Sequence, residues 1–320
     1  MKHCFVINPA AGSGKDQDTL LPRIMNAAKQ WSADYEIHRT SGPGEAISYV
    51  RGRIETNEDD RIRFYACGGD GTASEILNGM YGAPETELAI IPAGSGNDYV
   101  RNFGDRDCFC DILALLAGEA VPVDVMEYSF TPLQKGDPET KTSYALNMIN
   151  IGFDARVVRR MERLKNKLFL KGTGAYVAGV VLELAGYKMS KVVFRPEGYD
   201  DFETDILLAG VGSGRFSGGG FDGIPVAEVN DGLLDLMFIK PLTRRKFIKL
   251  VGAYHDGKHV GNPELENLLF LFRTTKVEIE PAESLIFTAD GEVNFTAKTV
   301  IVSIAPEKVN FVIPDGVKMP

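Results

Sequence analysis

The stretch FYACGGDGTASEILNGM, residues 64–80, decides the fold. Apolar residues run as far as Cys67. The turn Gly68-Gly69-Asp70-Gly71-Thr72 then opens a helical pattern. A strand that passes into a helix through a tight turn is the repeating unit of a parallel sheet covered by helices. Thr72 and Glu75 have the T-x-x-E spacing of a capping box. Capping accounts for those two residues. It does not need three glycines around an aspartate at the carboxyl edge of a strand, where α/β proteins place ligands. Glycines there let backbone N–H groups approach phosphates, and Asp70 would organise magnesium or a nucleophile.

Two further passages have the same form. LAIIPAGSGNDYVRNFG, 88–104, is strand, glycine-rich turn and a helix opened by Asn97-Asp98. FVINPAAGSGKD, 5–16, is a strand and a glycine-rich turn containing Lys15. The latter is not a Walker A loop, which would need glycine at Pro9 and Ser or Thr at Asp16. Three such turns after strands of one sheet converge on one rim. Around them the pattern predicts strands at Cys4–Asn8, Tyr35–His38, Ile62–Cys67 and Leu88–Ile91. Helices are predicted at Thr19–Trp31, Gly44–Ile54 and Ala73–Met80. Leu20, Ile24, Ala27, Ala28 and Trp31 form the expected inward stripe of the first helix.

After about Val123 the pattern changes. Tyr144–Ile151, Lys191–Phe194, Thr204–Gly210, Leu234–Ile239, Thr275–Ile279, Ser284–Thr288 and Thr299–Ala305 read as strands. Helical segments interrupt them near 156–187 and 243–253, and 132–142 reads as an exposed hairpin loop. The expected organisation is an α/β domain over 1–124 and a β-rich, largely antiparallel domain over 125–305. The end segment 306–320 is expected to pack back onto the first.

Composition narrows the function. The 320 residues carry a net charge of −9, which argues against a general nucleic-acid binder. Cys4 and Cys67 sit in apolar strands, and Cys108-Phe109-Cys110 lacks a matching Cys/His pair for a metal site. The four histidines show no ligand spacing with carboxylates. The longest lipid-like stretch, AYVAGVVLELAG, 175–186, falls short of the ~20 residues of a membrane span and contains Glu183. A cytoplasmic protein that touches the inner membrane face is expected.

NPAAG (8–12), GGDGT and PAGSGND (92–98), followed by NIGFDARV (150–157), GRFSGGGFDGIPVAEVNDGLLDL (214–236) and TADGE (288–292), resemble the diacylglycerol kinase catalytic-domain family. The resemblance is closest to the bacterial soluble lipid kinases of the diacylglycerol and sphingosine kinase superfamily. It covers nearly the whole chain, although GGDG alone is shared with NAD kinases and phosphofructokinases. It implies an NAD-kinase/phosphofructokinase-like nucleotide-binding domain, a β-rich lipid domain, and ATP and Mg2+ as cofactors. It also implies an interdomain ATP cleft and, since the family includes dimers, a homodimer.

Carried over residue by residue, the resemblance places Asn8, Pro9, Gly12 and Thr40 on the nucleotide. With them go Gly68, Gly69, Asp70, Gly71 and Thr72, and Ser95, Asn97 and Asp98, where the family usually has threonine for Ser95. Glu292 is implied as the proton acceptor, with Asp290 as the second choice. Asp231, the Leu233 carbonyl and Glu228 are implied as a structural magnesium site, although Asp231-Gly232 also reads as a hairpin turn. The family's asparagine ahead of GGG is missing, with Gly212 and Ser213 in that region.

These residue types suit phosphoryl transfer, which needs charge neutralisation, alignment and a proton acceptor. The lipid side points to a membrane surface. Seven Lys/Arg lie between Arg156 and Lys171 against Glu162, and TRRKFIKL, 243–250, is a weaker basic candidate. A solvated helix face is the competing reading of both. NAD kinase remains a rival enzyme reading, and a silent nucleotide-binding regulator a rival of another class. Retention of Asp70, Asp98, Asp290 and Glu292 speaks against the regulator.

Overall fold

The computed structural model describes residues 1–12, 15–56, 61–94, 96–133, 139–168, 186 and 189–318. They divide into two compact units, Met1–Val125 with Pro306–Pro320, and Met126–Ala305. No helix among the described residues is long and apolar enough to cross a membrane.

In the first unit, β1 (Lys2–Ile7), β2 (Tyr35–Arg39), β3 (Ile62–Gly68), β4 (Thr86–Pro92), β5 (Glu119–Val123) and β19 (Val309–Ile313) form one sheet ordered β2-β1-β3-β4-β19-β5. The first five of these spatial neighbours run parallel, and β5 pairs antiparallel to β19. Every residue of β3 and β4 is buried. That is the signature of central strands covered on both faces, and it explains their unbroken apolar runs. The flanking helices are α1 (Lys15–Trp31), α2 (Glu45–Glu55), α3 (Asp70–Met80) and α4 (Ile112–Ala117).

Register puts the loops on one edge. Ile7 pairs with Cys67, Cys67 with Ile91, and Gly68 with Pro92, so the turns after β1, β3 and β4 leave the sheet side by side. Buried Arg63 ties α4 to the sheet. It pairs with Glu87 at 2.7 Å and donates to the carbonyls of Leu115, Leu116 and Gly118.

Two expectations fail here. Leu20, Ile24, Ala27 and Ala28 are buried, but Trp31 is 49% exposed. The helix ends there, at Ser32 with φ 55°, and periodicity fixes a direction without guaranteeing a neighbour. The turn after Asp98 is a short 3-10 turn, Tyr99–Phe103, rather than an α-helix.

The second unit contains β6 (Met126–Pro132), β7 (Lys141–Ala145), β8 (Met148–Gly152), β9 (Ser190–Pro196), β10 (Phe202–Ile206) and β11 (Leu208–Gly212). After the short hairpin β12 (Phe216–Ser217) and β13 (Phe221–Asp222) come β14 (Leu234–Ile239), β15 (Leu269–Thr274), β16 (Lys276–Pro281), β17 (Leu285–Ala289) and β18 (Glu292–Ile304). Apart from β12 and β13 these form one antiparallel sheet, along the path β10-β9-β16-β18-β17-β8-β11-β14-β15, with β6 on β18 and β7 on β6. β6 and β9 alternate buried with half-exposed residues, as strands with one covered face do. Helices α5 (Phe153–Leu168) and α6 (Arg244–His255) complete the unit.

The long strands expected at 144–151 and 204–210 are each two strands. Leu146 and Asn147 separate β7 from β8 because their N–H groups turn to the Asp290 carboxylate. Leu207 separates β10 from β11; its carbonyl accepts from Phe153 and its N–H donates to Ile239.

Candidate active site

Gly68 is the centre of the first unit's rim. Its carbonyl accepts the N–H groups of Ala93 and Gly94, at 3.0 and 3.1 Å, and the Asn97 side chain at 2.9 Å. Asn97 in turn accepts from the Gly94 N–H and adopts the left-handed region, φ 53°. Asp70 completes the brace. Its carboxylate accepts the N–H groups of Asn97 and Asp98, at 2.8 and 2.9 Å. Burial pushes the Asp70 carboxyl above its usual range, and the two N–H donors counter part of that rise. A Cβ on Gly94 would stand 2.5 Å from Gly69 Cα, and one on Gly96 would stand 2.5 Å from Asp70 Oδ2. Those two glycines are therefore required by the packing of one loop on the other.

The capping box is not formed. Helix α3 starts at Asp70, with Gly69 as N-cap and no capping side chain. Thr72 instead accepts from Asn8 Nδ2 at 3.1 Å, which ties the first loop to the second. Glu75 caps the neighbouring helix, accepting the N–H groups of Gly44 and Ala46 ahead of and within α2. A local spacing rule could not anticipate that, because the acceptor serves donors 29 and 31 residues away. Asn8 also accepts from the Ala10 N–H, Gly12 turns at φ 66°, and the Thr40 N–H and hydroxyl both donate to the Ile7 carbonyl. Asn8, Thr40, Gly68, Gly69, Asp70, Thr72, Asn97 and Asp98 are thus brought to one edge, with Pro9, Gly12 and Gly71 in the same loops. Ser95 and the side chain of Lys15 lie outside the described residues. Arg106, which sequence reasoning passed over, braces the third loop by donating to the Gly94 carbonyl at 3.1 Å.

An uncapped helix N-terminus, approached by loops rich in backbone N–H groups, suits a phosphate by charge and by hydrogen bonding. That chemistry fits the phosphates of a nucleotide.

The second unit carries the late acidic pair. Asp290 and Gly291 form a two-residue hairpin, φ 46° and 79°, between Ala289 and Glu292, which face each other across β17 and β18. Positive φ at both positions is the preferred geometry of such a turn. The Asp290 carboxylate accepts three backbone N–H groups, from Leu146, Asn147 and Met148, at 2.7, 2.9 and 3.0 Å. Glu292 is half-buried and opens β18.

The expected hairpin at Asp231-Gly232 is absent, since β13 and β14 do not pair with each other. Asp231 instead makes an Asx turn, accepting from the Leu233 N–H at 3.0 Å, and its other oxygen pairs with Arg273. Sequence reasoning missed Asp235 here. Its carboxylate is fully buried, both oxygens lack a hydrogen bond, and Arg273 Nε stands 3.2 Å away. Burial pushes its pKa up to about 6, and the negative charges of Asp231 and Glu228 add to the rise. Oxygen donors with excess negative charge suit a hard cation. As arranged, no three carboxylate, histidine or cysteine groups among the described residues converge tightly enough to hold one. The Arg273 guanidinium supplies the positive charge.

An apolar pocket lies in the same unit between α5, β11 and α6. Phe153, Leu208, Phe247, Leu250 and Tyr254 are among its walls, with one carboxyl, Asp154. Tyr254 donates its hydroxyl to Asp154 at 2.9 Å, and burial raises the Asp154 pKa to about 6. An acid whose pKa rises on folding takes up a proton between its unfolded value near 3.8 and about 6. Its contribution is thus most favourable at low pH and is lost as pH rises through that window. Relative to wild type, Asp154→Asn should gain on the order of 1–3 kcal/mol in passing from pH 4 to pH 8, after allowance for partial exposure. Denaturant unfolding at both pH values measures this, and parallel curves would refute the assignment.

Comparison with known proteins fits this geometry. A model described as diacylglycerol kinase catalytic domain matches residues 2–128. One described as YegS C-terminal NAD kinase beta sandwich-like domain matches residues 147–313. A protein of Alcanivorax borkumensis named probable lipid kinase YegS-like is 30% identical over 285 residues, 87% of each chain. One of the same name from Klebsiella pneumoniae is 26% identical, over 92% of this chain and 91% of that one. A solved diacylglycerol kinase structure from Bacillus anthracis superposes with a TM-score of 0.67 at 22% identity, over 99% and 98% of the two chains. The fold and these matches define a phosphotransferase that uses an alcohol group as acceptor. The chain belongs to the YegS-like lipid kinase family.

Proposed function

We propose that the protein transfers the γ-phosphoryl group of ATP to a hydroxyl of diacylglycerol or a related lipid. The observation that carries this is the uncapped N-terminus of α3 where three loops meet, the second and third joined through Asp70, Asn97 and Gly68 and the first tied on by Asn8 to Thr72. In this reading ATP supplies the phosphoryl group and Mg2+ the counter-charge. Backbone N–H groups near Gly12 and Gly69–Thr72, with Asn8 and Thr40, bind the phosphates, and Ser95 joins them from the third loop. Asp70 and Asp98 organise the magnesium side. Asp231, Glu228 and the Leu233 carbonyl hold a second, structural magnesium once Arg273 yields its place.

Glu292 accepts the proton of the lipid hydroxyl as the oxygen–phosphorus bond forms. Asp290 is assigned to holding the turn that carries it. The apolar pocket takes acyl chain, with Asp154 and Tyr254 as its polar contact. The first unit is thus assigned to the nucleotide, and the second to lipid and base. Protein with magnesium and radiolabelled ATP, offered diacylglycerols, sphingoid bases, ceramides and glycerolipids, should label at least one. Asp231→Asn should raise the magnesium concentration required. Label in none, or conversion of NAD to NADP instead, would overturn the proposal.

A further inference from the structure

Helix α6 has two faces with different tasks. Phe247, Leu250, Val251 and Tyr254 point inward and line the apolar pocket. Arg245, Ile248 and Lys249 follow at helical spacing on the other side and are exposed. Ile248 is 62% exposed, the highest value among the described large apolar side chains. A lone exposed isoleucine is ordinary, but this one stands among cations. RRKFIKLVGAYH, the whole of α6, carries Arg244, Arg245, Lys246 and Lys249 and no acidic residue, in a chain of net charge −9. Glu264, in the short turn Pro263–Leu265, pairs with Lys249 at 2.7 Å, and its charge also reaches Lys246.

A two-chain lipid does not leave its bilayer readily, so a pocket that receives it works best against the membrane. Resting on the lipid-kinase reading, we infer that the outer face of α6, Arg245, Ile248 and Lys249, seats the protein on an anionic bilayer. Basic groups hold the headgroup layer and the isoleucine enters it. The pocket then lies directly behind the helix that touches the lipid. The other basic stretch is less informative, since Arg163, Lys165, Lys167 and Lys171 fall outside the described side chains.

Vesicle sedimentation tests this without any catalytic readout. Wild-type protein should bind phosphatidylcholine vesicles containing roughly one-third phosphatidylglycerol well above pure phosphatidylcholine. Arg245→Gln with Lys249→Gln should weaken that binding about 25-fold, roughly fivefold per charge. Ile248→Ser should weaken it severalfold on both vesicle types. Both variants should melt like wild type and phosphorylate a water-soluble short-chain diacylglycerol at the wild-type rate. Equal wild-type binding to both vesicles, or variants that bind as wild type does, would overturn the inference. So would charge-independent capture by a protein partner. Absence of lipid phosphorylation with the vesicle pattern intact would instead sink the kinase reading and leave this surface standing.

Discussion

Glu292→Gln should lower kcat by roughly 10²–10⁴-fold, the usual worth of a positioned general base. Glutamine keeps the size of the side chain and loses its ability to take a proton. The plateau of kcat/KM should fall, and its acidic limb, which reports ionisation of the base, should vanish. KM for ATP should hardly move, because the loops proposed to bind the nucleotide belong to the other unit.

Asp290→Asn separates the two carboxylates. Asp290 already accepts three N–H donors, so both of its oxygens are engaged in holding the backbone of Leu146–Met148. An asparagine turns an NH2 group toward at least one of those donors and leaves it unsatisfied, at a cost of ~1–3 kcal/mol. That should lower the melting temperature by about 3–10 °C for a unit of this size. Activity should fall with it, but the acidic limb should survive. The reverse pattern, with the limb lost in Asp290→Asn and kept in Glu292→Gln, would exchange the two roles.

Asp70→Asn is the second large effect. The carboxylate joins the turn after β3 to the loop after β4 through the Asn97 and Asp98 N–H groups. The amide cannot accept both in the same way, so the third loop should slip from Gly68 and the nucleotide should bind and align poorly. A fall in kcat/KM for ATP on the order of 10³-fold is expected, equal to about 4 kcal/mol of transition-state binding. Amide exchange should quicken at Asn97 and Asp98, and Arg106→Ala should show a milder version of both changes, since it braces the same loop at Gly94. If Asp70→Asn kept wild-type kcat/KM, Asp70 would have only a structural role and the nucleotide assignment would fail.

Some of the site could be read locally. GGDGT, PAGSGND and NPAAG each carry their own turn chemistry, and a parallel register then places all three on one edge. Glu75, Asp235 and Arg106 could not be found that way. Each acts on a group distant in the chain: Glu75 on the start of α2, Asp235 beside Arg273, and Arg106 on Gly94. The same limit explains the error at Trp31, where a correct apolar period met no neighbour.

By itself the sequence determined the parallel α/β unit, the change to antiparallel strands after Val123, the glycine turns and the acidic residues within or beside them. These follow from periodicities of two and 3.6 residues and from backbone conformations that few residue types tolerate. Only the tertiary structure decided which carboxylate is held and by what. Asp290 breaks an apparent strand at Leu146–Asn147 by taking its N–H groups, and Asp70 fixes a loop 27 residues away. A carboxylate binds whichever donors the fold brings within about 3 Å, and no local pattern records which those are.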